Sequence, residues 1–217
     1  MKFKWWTVAG LLLLGLSVFL WRCNQPVAQY RYRMTVEINT PHGVKSGSAV
    51  HAVRWDYYGG AITSFIGKMQ GEAVFVDLGA DQNGKPRHVI ALLPSERMVP
   101  DVLGYRESQR YGEYQAITGV HAVGVAHMPD LVTFADLSDP TTAKLIYKTG
   151  ARHSGGVPVD EFASVFGPGF SMHRITVEIQ PATEPITRGI EGRLPVAMAK
   201  LREEAKISRL ARPSQHR

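Results

Sequence analysis

Three serines and two histidines are the side chains whose type and spacing could support catalysis. Ser46 and Ser48 belong to a Ser-Gly-Ser turn, and Ser154 precedes two glycines, but none lies in the Gly-x-Ser-x-Gly pattern of a nucleophile elbow. His121 and His127 are separated by six residues, which fits neither adjacent helical turns nor a common zinc motif. We therefore expect no metal site. A membrane-associated serine hydrolase, with one of these serines activated by a histidine brought close by folding, is the alternative hypothesis.

Residues 79–86 resemble a phosphate-binding loop. Gly79 and Gly84 have the glycine spacing of such a loop, and Lys85 follows the second glycine. However, Pro86 stands where a hydroxyl should reach the metal, and a strand pattern follows where a helix should begin. Asn83 and Gly84 together are a strong hairpin signal. We therefore interpret these residues as a turn between two antiparallel strands and expect no nucleotide or other cofactor.

The positive charge of the chain is concentrated at its two ends. The pI is near 9.5, which invites a nucleic-acid interpretation. Residues 1–33 carry five Lys or Arg and no acid, and residues 186–217 carry eight against three acids. The intervening residues hold 12 basic and 16 acidic side chains. A basic groove across the whole domain is therefore poorly supported, and we expect no nucleic-acid partner.

The first 22 residues have the pattern of a membrane anchor. An uncharged run of seventeen residues extends from Trp5 to Trp21, and as a helix it would span about 26 Å. The residues expected in the lipid and at its interfaces are Trp5, Trp6, Leu11, Leu12, Leu13, Leu14, Phe19 and Trp21. A cleaved signal is the competing interpretation, but the nearest candidate cut, after Ala28, has Pro26 in place of a small residue. We predict a single-pass inner-membrane protein with its body in the periplasm.

The body has the periodicity of a β-rich domain. Apolar and polar residues alternate as in half-buried strands, and strands are predicted at 34–40, 47–55, 71–78, 87–93, 131–137, 143–149 and 173–179. Two or three short helices are expected beside them, one at 160–166. The sequence thus predicts a mainly β (β-rich α+β) domain, an antiparallel sheet or sandwich, over residues 34–195, after a stem at 23–33.

The C-terminal residues have a weak helical pattern. Leu194, Met198, Leu201 and Ala205 share one stripe, but Ile207 and Leu210 fall off it. We interpret residues 196–217 as a basic tail that is either helical or disordered. We expect this tail to be solvated or frayed.

The body resembles a family of small membrane-anchored proteobacterial proteins with no assigned function. The matching stretches lie at 32–37, 40–41, 46–50, 71–78, 131–134, 166–169, 174–179 and 187–195. The tyrosine-rich middle matches poorly, and relatives tend to end soon after the Leu-Pro of 194–195. The resemblance implies the anchor and the fold, and it implies no activity or catalytic residue.

We expect a non-catalytic binding domain that contacts an envelope protein or another envelope component. Because functional contacts concentrate on loops, the predicted partner surface combines the Ser-Gly-Ser turn, a loop at 55–65 and the tyrosine-rich segment. Its predicted residues are Ser46, Ser48, Trp55, Tyr57, Tyr58, Tyr105, Tyr111 and Tyr114.

Overall fold

Two five-stranded antiparallel sheets make up most of the fold. The computed structural model describes residues 13–17, 28–58, 64–104, 114, 116–148 and 159–190. The strands are β1 (Ala28–Thr40), β2 (Gly43–Tyr58), β3 (Ser64–Gln70), β4 (Val74–Ala80), β5 (Pro86–Ala91), β6 (Val120–Ala122), β7 (Leu131–Phe134), β8 (Ala143–Lys148), β9 (Val159–Asp160) and β10 (Ser171–Gln180). The helices are α1 (Met98–Leu103) and α2 (Phe162–Phe166), with short 3-10 turns at Val125–His127 and Pro140–Thr142. The predicted β-rich architecture is confirmed.

The first sheet has the strand order β3-β2-β1-β10-β6 and one apolar face. Along β1 every second side chain is buried: Tyr30, Tyr32, Met34, Val36 and Ile38. The alternate residues of β1 point to the opposite face, where Arg33 pairs with Glu184 and Glu37 pairs with Arg174. This two-residue period gives the first sheet an inner face toward the core and a charged outer face.

The second sheet has the strand order β4-β5-β7-β8-β9. Its inner face adds Val74, Val76, Val89, Leu131 and Ile146 to the same core as the first sheet. The predicted hairpin of β4 and β5 is confirmed by the antiparallel pairing of Val74 with Ala91 and of Asp77 with His88.

Two glycines allow the chain to pass from the first sheet to the second. β3 ends beside β2, and Gly71 then turns with φ of +143°, where an added Cβ would lie 2.5 Å from Cδ2 of His51. At Gly47 in β2, an added Cβ would lie 2.1 Å from the carbonyl oxygen of Phe75 in β4. The backbones of β2 and β4 therefore cross in direct contact, and a side chain at position 47 would push the sheets apart.

Several predicted boundaries differ from the structure. β1 begins at Ala28, not Met34, because Tyr30 and Tyr32 already face the core, so the stem is shorter than predicted. β2 continues through Tyr57 and Tyr58, which the sequence placed in a loop, and β3 was missed. The helix predicted at 160–166 begins at Phe162, after β9.

Little of the predicted anchor lies within the described residues. Leu13–Ser17 is helical. No helix among the residues that the structure describes is both long and apolar enough to cross a membrane. The rest of 1–22 and the whole of 196–217 lie outside the described residues.

Candidate functional site

A cleft at one end of the second sheet is the main candidate for a binding site. It lies between the β4–β5 turn and the segment that joins α2 to β10. Two adjoining depressions of about 400 and 450 Å³ share Asp81, Arg87 and Phe166. We call this region the basic cleft. Its other lining residues include His42, Lys85, Thr133, Phe134, Lys144, Val165 and Phe170.

The β4–β5 turn forms one wall of the basic cleft. The Asp81 carboxylate accepts hydrogen bonds from the backbone N–H groups of Asn83 and Lys85, both at 2.8 Å. These hydrogen bonds hold the pKa of Asp81 below its ordinary value, and the bond from Lys85 has the largest effect. Gly84 has φ of +77° and closes the turn. The amides that a phosphate-binding loop would offer to its ligand are thus occupied by Asp81, while the exposed side chain of Lys85 lines the cleft.

Arg87 is the central cation of the basic cleft. Its guanidinium carbon lies 4.8 Å from the centre of the Phe170 ring, and its Nη2 donates to the carbonyl oxygen of Ala80 at 3.1 Å. Its Nε is buried and has no hydrogen-bond partner among the described residues. No described carboxylate lies within ion-pair distance of Arg87. The aromatic ring and the carbonyl orient the guanidinium. Its charge helps to lower the pKa of Asp81 in the same cleft, but the two side chains form no ion pair, so the guanidinium stays open to a ligand.

Lys144 adds a further positive charge to the same cleft. Its Nζ lies 3.8 Å from Glu161 Oε2, with 54% and 43% of the two side chains exposed. An ion pair this long and this open to water neutralises little of the lysine charge. The basic cleft thus presents Lys85, Arg87 and Lys144 around an apolar wall formed by Phe166. Such a wall suits the apolar body of a ligand whose anionic group contacts the cations.

A second polar group, on the inner face of the first sheet, is sealed from solvent. His51 is fully buried and stacks on Tyr32 with ring centres 5.1 Å apart. Its Nε2 donates to the carbonyl oxygen of Glu72 at 2.8 Å. Burial lowers the pKa of His51 and raises the pKa of Tyr32. Beside them Tyr30 stacks on Tyr114 at 4.4 Å. We call these four rings the inner ring cluster, and their burial makes them part of the core.

His88 lies on the outer face of the second sheet, stacked against Phe75 with ring centres 5.4 Å apart and near Phe134 at 6.3 Å. The backbone N–H of Phe134 donates to its Nε2 at 3.3 Å. Burial lowers the pKa of His88, and the charge of Asp77 opposes this shift. Only 3% of its surface is exposed, so His88 holds the strands together and offers no reactive nitrogen to the cleft.

The described serines are not brought to a histidine. Ser46 and Ser48 are exposed and stand opposite Glu37 and Thr35 on the outer face of the first sheet. His51, on the same strand, faces inward. No hydrogen bond joins a serine to a histidine in the part of the chain that the structure describes, and Ser154 lies outside it. Within the same part, no three His, Cys, Asp or Glu side chains are grouped to bind a metal ion.

The predicted partner surface is only partly compatible with the structure. Trp55 and Tyr114 are buried in the core, so the prediction that they contact a partner is wrong: both rings pack against the domain itself. Tyr57 and Tyr58 belong to β2. Tyr105 and Tyr111 lie outside the described residues. Ser46 and Ser48 are exposed, but both lie within β2, so the turn predicted there is wrong.

Sequence reasoning identified only part of the basic cleft. It singled out Lys85 through the likeness to a phosphate-binding loop, but it missed Arg87, Lys144 and Phe170. These three side chains come from β5, β8 and the residues before β10, so no motif connects them. Only the paired sheet brings them together.

Comparison with known proteins finds no matching family model, no similar curated protein and no similar solved structure. The resemblance to membrane-anchored proteobacterial proteins stays a prediction.

Proposed function

We propose that the chain is a membrane-anchored, non-catalytic binding protein whose periplasmic β-rich domain holds an anionic ligand in the basic cleft. The observation that carries this proposal is Arg87, a guanidinium oriented by Phe170 and Ala80 that forms no ion pair with a described carboxylate. Folding places such a charge at low cost only where water or a ligand can reach it.

The groups around the basic cleft support binding more than bond cleavage. The carboxylate of Asp81 is committed to the backbone of its own turn. The two histidines that are held out of water, His51 and His88, have lowered pKa values because of burial, and neither lines the cleft. His42 lines the cleft from the exposed β1–β2 turn, but no hydrogen bond to a described residue orients its ring. The residues at hand therefore attract and orient an anion better than they position a general base beside it.

The ligand chemistry follows from the same residues. Lys85, Arg87 and Lys144 suit a phosphate, sulfate or carboxylate group. The Phe166 ring suits an apolar or aromatic body attached to that group. We therefore expect phenyl phosphate to bind more tightly than inorganic phosphate, since it can use both parts of the cleft.

Calorimetric titration of the full chain in zwitterionic detergent with phenyl phosphate tests the site. Replacing Arg87 by Met keeps the aliphatic stem and removes the charge, and we expect affinity to fall about tenfold or more. Lys85→Met should weaken binding less, because that side chain is exposed and freely hydrated. Lys68→Met is the matched control: it also removes one cation, but from the ion pair with Asp56 on the first sheet. Equal affinities for Arg87→Met and Lys68→Met would refute the cleft as the binding site.

The membrane part of the proposal is supported by the uncharged Trp5–Trp21 run and by the cations on both sides of it. Carbonate extraction of cell membranes and N-terminal sequencing of the purified protein test it. We expect the protein to stay in the pellet and to retain its first residues. A mature chain that begins after Ala28, or release by carbonate, would contradict the anchor while leaving the cleft untouched.

A further inference from the structure

The basic cleft and the start of β1 lie at opposite ends of the domain. Pro41 and His42, in the turn that follows β1, line the cleft. An added Cβ on Gly169 would lie 3.1 Å from Cγ of Pro41, so the segment before β10 contacts the same turn. β1 has 13 residues and is therefore about 40 Å long. The cleft is thus separated from Ala28 by nearly the whole length of the first sheet.

The residues around Ala28 come from both sheets. Ala28 is paired with Trp55, and Trp55 is paired with Gly67 on β3. An added Cβ on Gly67 would lie 2.3 Å from Cγ of Glu96. β5 runs away from the cleft, so the residues that follow it reach the same end as Ala28. We call this region the stem end, and it consists of Ala28, Trp55, residues 66–67 and residues 92–96.

The stem end exposes apolar side chains. Six large apolar side chains are exposed among the described residues from 28 onward, and three of them belong to the stem end. They are Ile66, Leu92 and Leu93, with 44%, 41% and 48% of their surfaces exposed. One such residue is ordinary at a protein surface, but these three lie at the end from which the chain leads to the proposed anchor. Contact with the bilayer interface would remove their apolar surface from water.

The chain between the proposed anchor and the stem end is short. Five residues, 23–27, separate Arg22 from Ala28. Six residue steps span at most about 20 Å even when fully extended. An anchored chain therefore holds Ala28 within that distance of the lipid surface, and the basic cleft lies about 40 Å farther along β1. Because the Debye length at physiological salt is about 8 Å, headgroup charges have little influence on a cleft at that height.

We propose that the domain stands on its stem end, so that the basic cleft faces away from the anchoring membrane and binds an anion from the aqueous phase. This inference rests on the proposed anchor and on the proposed anion site, and it narrows the ligand to a phosphate, sulfate or carboxylate that reaches the protein through water. The other source of the same chemistry is an anionic headgroup of the anchoring bilayer. Binding a headgroup would require the domain to lie flat, with Arg87 turned toward the lipid.

Energy transfer to the membrane tests the orientation. In a Cys23→Ser background, the full chain carries a donor fluorophore on Ser95→Cys at the stem end or on Gln82→Cys at the rim of the cleft, and both residues are exposed. The protein is reconstituted in phosphatidylcholine vesicles that contain a lipid with an acceptor on its headgroup. Because the two sites differ by about 40 Å in height, we expect transfer from position 95 to be about tenfold or more faster than from position 82. Equal rates, or faster transfer from position 82, would overturn the proposal.

Calorimetric titration with phenyl phosphate tests the source of the ligand. The full chain is titrated in phosphatidylcholine vesicles and in phosphatidylglycerol vesicles at physiological salt. We expect the two Kd values to agree within about twofold, since the negative surface potential decays over about 8 Å. A Kd about tenfold or more weaker in phosphatidylglycerol would show competition by the headgroup. That result would overturn the proposal and assign the cleft to a lipid of the anchoring membrane.

The outcomes separate this inference from the proposed function. Failure of the chain to float with the vesicles would refute the anchor, and the orientation with it. Equal phenyl phosphate affinities for Arg87→Met and Lys68→Met would refute the cleft and hence the ligand assignment, whereas the transfer rates would still report which end faces the lipid. If the chain floats and Arg87→Met weakens binding, equal transfer from positions 82 and 95 contradicts the orientation alone.

Discussion

His51 in the first sheet and Arg87 in the second are both drawn out of bulk water, but their surroundings differ. His51 lies inside the core, where its pKa is lowered by burial and its Nε2 hydrogen is bonded to Glu72. The guanidinium of Arg87 rests on the Phe170 ring on one side and lines the basic cleft on the other. The inner ring cluster thus stabilises the core, whereas the basic cleft presents cationic side chains that can contact a ligand.

The crossing of β2 and β4 joins the two sheets, and it gives the largest expected effect. In Gly47→Ala the added Cβ would lie 2.1 Å from the carbonyl oxygen of Phe75, a backbone atom that cannot rotate away. We expect the free energy of unfolding to fall by about 3 kcal/mol or more. Urea unfolding followed by tryptophan fluorescence measures the change.

Gly124→Ala is the matched control for this prediction. Gly124 has φ of −63° and ψ of 152°, and a Cβ there would meet no atom within 4 Å. Because alanine restricts the unfolded chain, this variant should be unchanged or more stable by about 0.5 kcal/mol. If the two variants unfold at the same urea concentration, the β2–β4 crossing is not as tight as described.

The pH dependence of the unfolding free energy gives an expected effect of intermediate size. Burial lowers the pKa values of His51 and His88, so the unfolded state binds more protons than the native state as the pH falls through about 6.5. We expect stability to fall with decreasing pH, by at most about 1.4 kcal/mol per pH unit for each histidine. The loss ends below the native-state pKa values. Urea unfolding at several pH values between 7.5 and 5 measures the slope.

His51→Gln should remove the His51 part of that slope, whatever its effect on absolute stability. The groups that face His51 are the uncharged Tyr32 ring and the backbone of Glu72 and Gly71, so no neighbouring charge offsets its titration. His42→Gln removes an exposed histidine on the β1–β2 turn and serves as the control. If His51→Gln and His42→Gln change the slope of unfolding free energy against pH equally, His51 is not shielded from water inside the first sheet.

The sequence predicted the parts of the fold that depend on local patterns. The alternation along β1 indicates a strand, and the Asn83-Gly84 pair indicates a hairpin turn. Both signals are local and do not depend on the rest of the fold. β3 was missed, and its alternation is interrupted at Gly67, where the structure has no room for a side chain: a Cβ would lie 2.3 Å from Cγ of Glu96 and 3.0 Å from Cζ3 of Trp55. A residue required for tertiary packing resembles a loop residue when it is seen in sequence alone.

The candidate site was harder to predict than the fold for the same physical reason. Lys85 was noticed because it follows a glycine within one turn. The roles of Arg87, Lys144 and Phe170 depend on strand pairing and on the position of α2, which no local period encodes. Trp55 and Tyr114 show the converse error, since an aromatic cluster in a sequence fits a surface and a core equally well until the strands are placed.

The smallest expected effect concerns the turn that presents Lys85. Gly84 has φ of +77°, a conformation that costs an alanine about 1 kcal/mol, whereas asparagine tolerates it better. Gly84→Ala should therefore lower stability by about that amount, and Gly84→Asn should lower it less. Because the strain is confined to residues 81–85, phenyl phosphate affinity should fall in Gly84→Ala while the pH slope due to His51 stays the same. A changed slope with unchanged affinity would mean that the turn supports the inner ring cluster and not the basic cleft.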